Sequence, residues 1–283
     1  MQVPESLSKR WDALSMPDRT LRCGGDVTQA ATDLPNARLG ILKLDCEDLP
    51  GRPTTDARLE CATMEMARAA GIRTATCEII IDDADERRRR HHLFVERFDV
   101  VAGSSRRLHM TTLAGLLVTY SLLTYVDLLS ATQWLTQDRT ELVEATRRMI
   151  FNVRSGNGDD HGKNHSFLFD DIAGVWKLTP AYDITLNYSD DRQFYGFFPQ
   201  TFGSSPRLSA LREVAAKFGI VADEFDAIDK SVSGTIANWE KYALSAGLTP
   251  ADTQRAALIH QQIADSLEAS GPAPRRTKRR PNN

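Results

Sequence analysis

The densest chemistry in the chain lies in Asn157-Gly158-Asp159-Asp160-His161-Gly162-Lys163-Asn164-His165-Ser166-Phe167-Leu168-Phe169, where carboxylates, imidazoles, a lysine and amide side chains precede an apolar run. Burying such groups without partners costs several kcal/mol, roughly 2–7 for a neutral polar group. A polar knot at the mouth of a strand therefore reads as a ligand or catalytic loop on a rigid scaffold. A solvated hairpin turn is the plainer alternative. Asp159 and Asn164 have the Asp-x-x-x-x-Asn spacing of a phosphoryl-transfer loop. In such a loop the aspartate accepts the hydroxyl proton and the asparagine holds Mg²⁺.

Three more residues complete that chemistry. Asp183 follows a hairpin in Thr179-Pro180-Ala181-Tyr182-Asp183 and stands where a second metal-binding carboxylate is needed, although a strand-end aspartate is often only a turn cap. Lys43 interrupts the apolar strand Leu39-Gly40-Ile41-Leu42-Lys43-Leu44-Asp45. By itself such a lysine is favoured to snorkel from a sheet edge; turned inward, it meets an anion. Glu60, on the next helix, either leans onto Lys43 or is a solvated glutamate. Phosphoryl transfer consists largely of positioning and charge neutralisation, so it needs hard oxygen ligands, a base near the acceptor and a cation on the phosphates. Lys163 is suited to sit over the transferred group, and His161 to meet the nucleotide or to shape the loop.

These residues need a scaffold, and the periodicity supplies one. Trp11 and Leu14 suggest a short helix, and Gly24-Gly25 a turn or a phosphate-lining loop. A helix is expected over residues 54–70, ended by Gly71. Two β-rich runs, 74–81 and 91–98, flank an acidic-then-basic linker. Residues 113–135 are apolar, but Asp127 and scattered hydroxyls make two buried helices rather than a membrane span. Leu142, Ala145, Met149 and Val153 recur at helical spacing over residues 140–154, feeding straight into the polar knot. Residues 166–169 and 175–178 read as a hairpin, and 208–218, 224–246 and 250–269 as three helices. The elements expected make an α+β chain, β-rich first and mostly helical after. Residues 1–100 would form a small β-rich lobe with one main helix, 101–270 a larger helical lobe carrying the catalytic and metal-binding loops, and 271–283 a disordered basic tail.

Composition sets the outer limits. With 283 residues, 41% hydrophobic and 26% charged at a net charge of −3, the chain can bury a sizeable core. That charge balance argues against nucleic acid as the main partner of the whole chain, with at most weak phosphate contacts from the basic tail. The four cysteines show no C-x-x-C pairing, which excludes a zinc framework, and the start lacks a signal-peptide pattern. A cytoplasmic protein with reduced thiols is expected.

At these residues the sequence resembles the HipA family of bacterial toxin serine/threonine kinases. The matching segments are Ile41-Leu42-Lys43-Leu44, Glu60 with Met66-Ala67-Arg68-Ala69-Ala70-Gly71-Ile72, Glu96-Arg97-Phe98-Asp99 with Leu108-His109-Met110, residues 157–168, and Trp176-Lys177-Leu178-Thr179-Pro180-Ala181-Tyr182-Asp183. The resemblance implies a two-lobed, protein-kinase-like fold, ATP and Mg²⁺, with a protein serine or threonine as acceptor. It makes Asp159 the base, Asn164 and Asp183 the Mg²⁺ ligands, and Lys43 the phosphate lysine. Backbone at Glu96 and Phe98 would hold adenine, with Asp99 and His161 near the ribose. It also implies a HipB-like DNA-binding antitoxin as partner and a target such as an aminoacyl-tRNA synthetase, hence an effect on translation. Full-length members carry a further N-terminal subdomain, so either a short member or a truncated gene product is expected. If residues 24–30 are the counterpart of the Gly-rich phosphate loop, Gln29 stands in its lysine's place and Asp26 adds negative charge. Two rival readings remain: a catalytically impaired binding protein, and a metal-dependent phosphohydrolase using Asp159, Asp160, His161 and Asp183.

Overall fold

A computed structural model describes residues 9–14, 21–23, 38–44, 56–82, 89–101, 106–119, 123–186, 197–203 and 206–269. Two antiparallel sheets and a set of helices make up its architecture. The first sheet has the order β2-β1-β3-β5-β4, from β1 (Lys9–Leu14), β2 (Leu21–Cys23), β3 (Arg38–Lys43), β4 (Cys77–Asp82) and β5 (Arg90–Glu96). The segment expected to be a short helix around Trp11 and Leu14 is therefore a strand: β1 pairs along its length with β3, from Lys9↔Lys43 to Leu14↔Arg38. Pairing with an existing strand overrides a weak local helix preference. Gly24-Gly25, Gln29, the 83–88 linker and the basic tail lie outside the described residues.

Helix α1 (Asp56–Ala69) lies against one face of this sheet, and its buried Leu59, Ala62 and Met66, with Ala70 just past its end, join the main core. The opposite sheet face has its own small cluster of Leu42 and Phe94, flanked by Leu44 and Ile80. Gly71 ends the helix as expected, with φ +87°. Lys43 thus closes the central strand β3 while Glu60 rides on the helix covering that sheet.

The second sheet, β6-β7-β8, comprises β6 (His109–Thr112), β7 (Ser166–Asp170) and β8 (Val175–Leu178). Phe167 and Leu178 share a row and are both fully buried. Between β6 and β7 come the short α2 (Leu113–Leu116), α3 (Tyr125–Thr136) and α4 (Arg139–Ser155). Thr124 and Asp127 form a reciprocal capping box at the start of α3, and Asp138 caps α4. Beyond β8 follow α5 (Phe197–Phe202), α6 (Leu208–Ala216), α7 (Ala222–Ile236), α8 (Trp239–Ser245) and α9 (Pro250–Glu268). The single helix expected over 224–246 is broken at Ala237 and Asn238. The break turns Trp239 into the core, where its Nε1 donates to the Thr253 carbonyl at 3.1 Å.

Helix α4 is buried along most of its length and is the axis of this part. Arg154 near its end makes a two-point ion pair with Asp229 of α7 at 2.6 and 2.7 Å, fixing the helix just before the polar knot. No helix among the described residues is long and apolar enough to cross a membrane.

His260 of α9 is 7% exposed and packs edge-on to the Trp239 ring. Burial lowers its pKa from the ordinary 6.5 to about 4. The unfolded chain therefore takes up this proton first on acidification, and stability falls as pH drops from 6.5 through 4. The expected loss at this one site is about 3 kcal/mol. Urea unfolding at pH 7 and pH 4.5 should show it, and His260→Gln should remove this component of the pH dependence.

Candidate active site

The polar knot begins where α4 stops. Gly156 takes the left-handed conformation, φ +71°, and its amide bonds back to the Val153 carbonyl. A side chain there would press on Leu186 and Ile263 besides straining the backbone. From Asp159 onward the loop alternates between anchoring and presenting side chains. Asp160 is 1% exposed: its Oδ1 lies 2.6 Å from His165 Nε2, and its other oxygen accepts from the Tyr125 hydroxyl. Burial holds the Tyr125 hydroxyl well above its ordinary pKa, with the Asp160 charge adding to the effect, so the phenol keeps its proton and donates. Gly162 lets the loop pass close to α2 and to Leu123, since a Cβ there would fall 3.4 Å from Ala114 and 2.5 Å from the Leu123 side chain.

Asp159 and Lys163 are the exposed members of the loop. His161 Nε2 lies 3.5 Å from Asp159 Oδ1. Asn164 is mostly buried, and its Nδ2 donates to the Asp159 backbone carbonyl at 2.9 Å. That bond fixes the amide so that its oxygen is the atom able to meet a cation. The loop therefore offers a presented carboxylate and an oriented amide oxygen.

Asp183 arrives by a separate route. Its φ of +58° is unusual for a residue with a side chain and costs on the order of 1 kcal/mol or more, so its surroundings must impose it. Upstream, Ala181 forms a parallel bridge with Thr74; downstream, Leu186 pairs with Asn157. Between these anchors the Tyr182 ring packs 5.6 Å from Phe98. Its hydroxyl meets Ser166 Oγ at 2.6 Å and the Lys163 carbonyl at 2.7 Å, and burial raises its pKa to about 12. Tyr182 thus ties the Asp183 segment to the residue preceding Asn164.

Lys43 completes the constellation. Its Nζ donates to both Glu60 oxygens, at 2.6 and 2.7 Å, and to Asp183 Oδ1 from 140 residues away. Burial alone would lower the ammonium pKa, but Glu60 and then Asp183 outweigh it, and the net shift is upward. Lys43 is therefore a fixed cation held inward, not a snorkelling side chain. Asp183 carboxylate and Asn164 amide oxygens are hard donors that suit Mg²⁺ rather than a softer ion.

The remaining expected site residues sit at the end of β5. The Glu96 amide donates to Thr76 O at 2.8 Å, and Phe98 packs on the main core. Asp99 is buried with its carboxylate against the Arg97 guanidinium, Nε–Oδ1 2.7 Å, so any ribose contact there would be shared with Arg97. The sequence reading passed over Tyr125, His165 and Tyr182. A signal did exist for His165: Asp160 and His165 repeat, one residue on, the spacing of Asp159 and Asn164.

Replacing Tyr182 with Phe keeps the ring on Phe98 but leaves the Lys163 carbonyl and Ser166 hydroxyl without the phenol. The expected cost is about 1–2 kcal/mol, read as a lower urea midpoint at unchanged slope.

Comparison with known proteins now has a geometry to meet. The model of the HipA-like C-terminal domain matches residues 25–269. A chain of the Shewanella oneidensis MR-1 toxin–antitoxin complex of HipA, HipB and operator DNA superposes over 94% of this chain and 64% of its own, with a TM-score of 0.65 and 16% identity. This chain therefore spans less than two thirds of that one. The Helicobacter pylori proinflammatory kinase CtkA aligns with 82% of this chain and 89% of its own, at a TM-score of 0.47 and 11% identity. A search of curated proteins gives no match. With a kinase-like fold of small antiparallel sheet and larger helical part, the chain belongs to the HipA-like C-terminal domain family.

Proposed function

We propose that this protein is a serine/threonine kinase that transfers the γ-phosphoryl group of MgATP to a protein hydroxyl. The observation that carries the reading is the shared grip on Lys43: Glu60 of α1 and Asp183 of the segment after β8 meet on one ammonium. A lysine held this way is poised to meet phosphate oxygens without adjustment at the moment of reaction. Bound Mg²⁺ would supply charge neutralisation across the β and γ phosphates.

The chain's own groups divide the remaining work. Asn164 and Asp183 hold the cation. Lys43, steadied by Glu60, orients the α and β phosphates. Asp159, exposed at the loop tip, accepts the proton of the acceptor hydroxyl, and Lys163 beside it offsets charge on the transferred group. Backbone at Glu96 and Phe98 receives the adenine, with Asp99 and His161 toward the ribose. The acceptor is a protein serine or threonine, with an aminoacyl-tRNA synthetase as one candidate, and a HipB-like DNA-binding protein is the antitoxin partner. The protein then works in the cytoplasm as the toxin of a toxin–antitoxin pair.

The hydrolase alternative draws less support. Asp160 is turned inward onto His165 and Tyr125, away from its exposed neighbour Asp159. Among the described residues no three His, Cys, Asp or Glu side chains gather as a metal cage.

Asp159→Asn should lower phosphate transfer and autophosphorylation by roughly 10²–10⁴-fold, the range for losing a general base. MgATP binding, followed by calorimetry, should change little because Asp159 is not among the proposed cation ligands. Full transfer activity in the variant would remove Asp159 as the base. Absence of MgATP binding in the parent would favour a binding protein without catalysis.

A further inference from the structure

We infer that Arg73, Glu141, Glu144 and Arg148 form a brace between the two parts of the fold that positions Asp183 for the metal ion. The inference rests on the kinase reading of the Lys43–Asp183 cleft. It assigns these four as positioning residues, since none of them reaches the proposed ligands.

Both carboxylates come from one buried face of α4, at Glu141 and Glu144, with Arg148 one further turn along. Glu141 Oε1 accepts from Arg73 Nη1 at 2.9 Å; its Oε2 accepts from the Arg73 guanidinium and from the Leu178 amide, the latter at 3.0 Å. Glu144 Oε1 accepts from the Arg73 amide at 3.1 Å and from Arg148 Nε and Nη2 at 2.9 and 2.8 Å. Arg148 Nη2 also donates to the Thr179 carbonyl at 2.7 Å. The backbone closes the circuit, with Ala181 N on Arg73 O at 2.7 Å and Ala75 N on Ala181 O at 2.8 Å. One polar unit thus grips the end of β8, the start of the Asp183 segment, and the stretch just after α1, the helix that carries Glu60.

Two features separate this brace from ordinary packing. Buried ion pairs seldom add net stability over apolar side chains of similar volume, so their directional bonds are the better reason for four charges in this place. Asp183 also holds a left-handed backbone that relaxes unless its flanks are fixed, and Leu178, Thr179 and Ala181 are the flanking residues the brace fixes. Glu141 and Arg148 are 3% and 2% exposed, whereas the Arg73 side chain is 48% exposed and can be truncated with little risk to folding.

The test compares the full chain with Arg73→Ala, Arg73→Lys and Glu141→Gln. Calorimetry measures ATP affinity with EDTA and then with Mg²⁺, and amide exchange is followed at Ala75, Leu178 and Ala181. The expected result is that affinity with EDTA stays near the parent value. The gain on adding Mg²⁺ should fall by about 10–100-fold in Arg73→Ala and Glu141→Gln, as when a metal ligand loses its supporting group. Arg73→Lys should recover part of that gain, and exchange at the three amides should accelerate in the two damaging variants. An unchanged Mg²⁺ gain overturns the proposal, and does so even where exchange accelerates, because the brace would then be structural only. A parent protein with no Mg²⁺ gain overturns the kinase reading instead, before any substitution is made. In that case parent-like exchange at Ala181 in Arg73→Ala would dispose of the brace as well.

Discussion

One ammonium group shared by two carboxylates determines how the two parts of this molecule meet. Lys43 closes the central strand of the first sheet, Glu60 sits on the helix covering it, and Asp183 belongs to the segment leaving the second sheet. A lone buried ammonium would be strongly disfavoured, and so would two neighbouring carboxylates without a cation. Each charge makes the others tolerable, so the sheet, the helix and the Asp183 segment have to come together for any of them to be buried. The triad still carries one excess negative charge. On the proposed reading, that excess suits a divalent cation, whose arrival with a triphosphate would redistribute the same contacts.

Much of this was legible in the chain, and the legible parts have local causes. Helix α1 and its end at Gly71 follow from periodicity and a glycine; α4 follows from its apolar stripe, and the 166–178 hairpin from alternating residues around a turn. Lys43 could be seen as anomalous within an apolar strand, but the strand alone could not say whether it turned inward. Only the arrival of Glu60 and Asp183 decides that, and one of those contacts spans 140 residues.

The features that escaped the sequence are those created by distance. Tyr182 looks like an ordinary aromatic two residues past a proline until its hydroxyl is found on the Lys163 carbonyl. Arg73 looks like a solvated residue after a helix, yet α4 supplies it with two carboxylates. The short helix expected at Trp11 and Leu14 failed for the same reason, because β3 offered those residues a ladder that no local window contains. The break between α7 and α8 likewise follows from the place waiting for Trp239 beside Thr253.

The adjacent pair Asp159 and Asp160 shows how one short loop can combine rigidity with exposure. Asp160 is driven inward onto His165 and Tyr125 while Asp159, in the turn before it, stays at the surface. Asp160, Asn164 and His165 are buried and hydrogen-bonded, while Asp159 just before them and Lys163 between them emerge. The inward residues carry no chemistry at the reacting atoms, but they fix the backbone from which the outward ones project. Asn164 belongs to both groups: its nitrogen secures the Asp159 carbonyl, which leaves its oxygen as the atom able to meet a cation. Placing the proposed base and one proposed metal ligand on the same hydrogen bond makes their separation a property of the loop itself. Asp183, the second proposed metal ligand, is held in place by a different part of the fold, so the proposed cleft is complete only when both supports are in register.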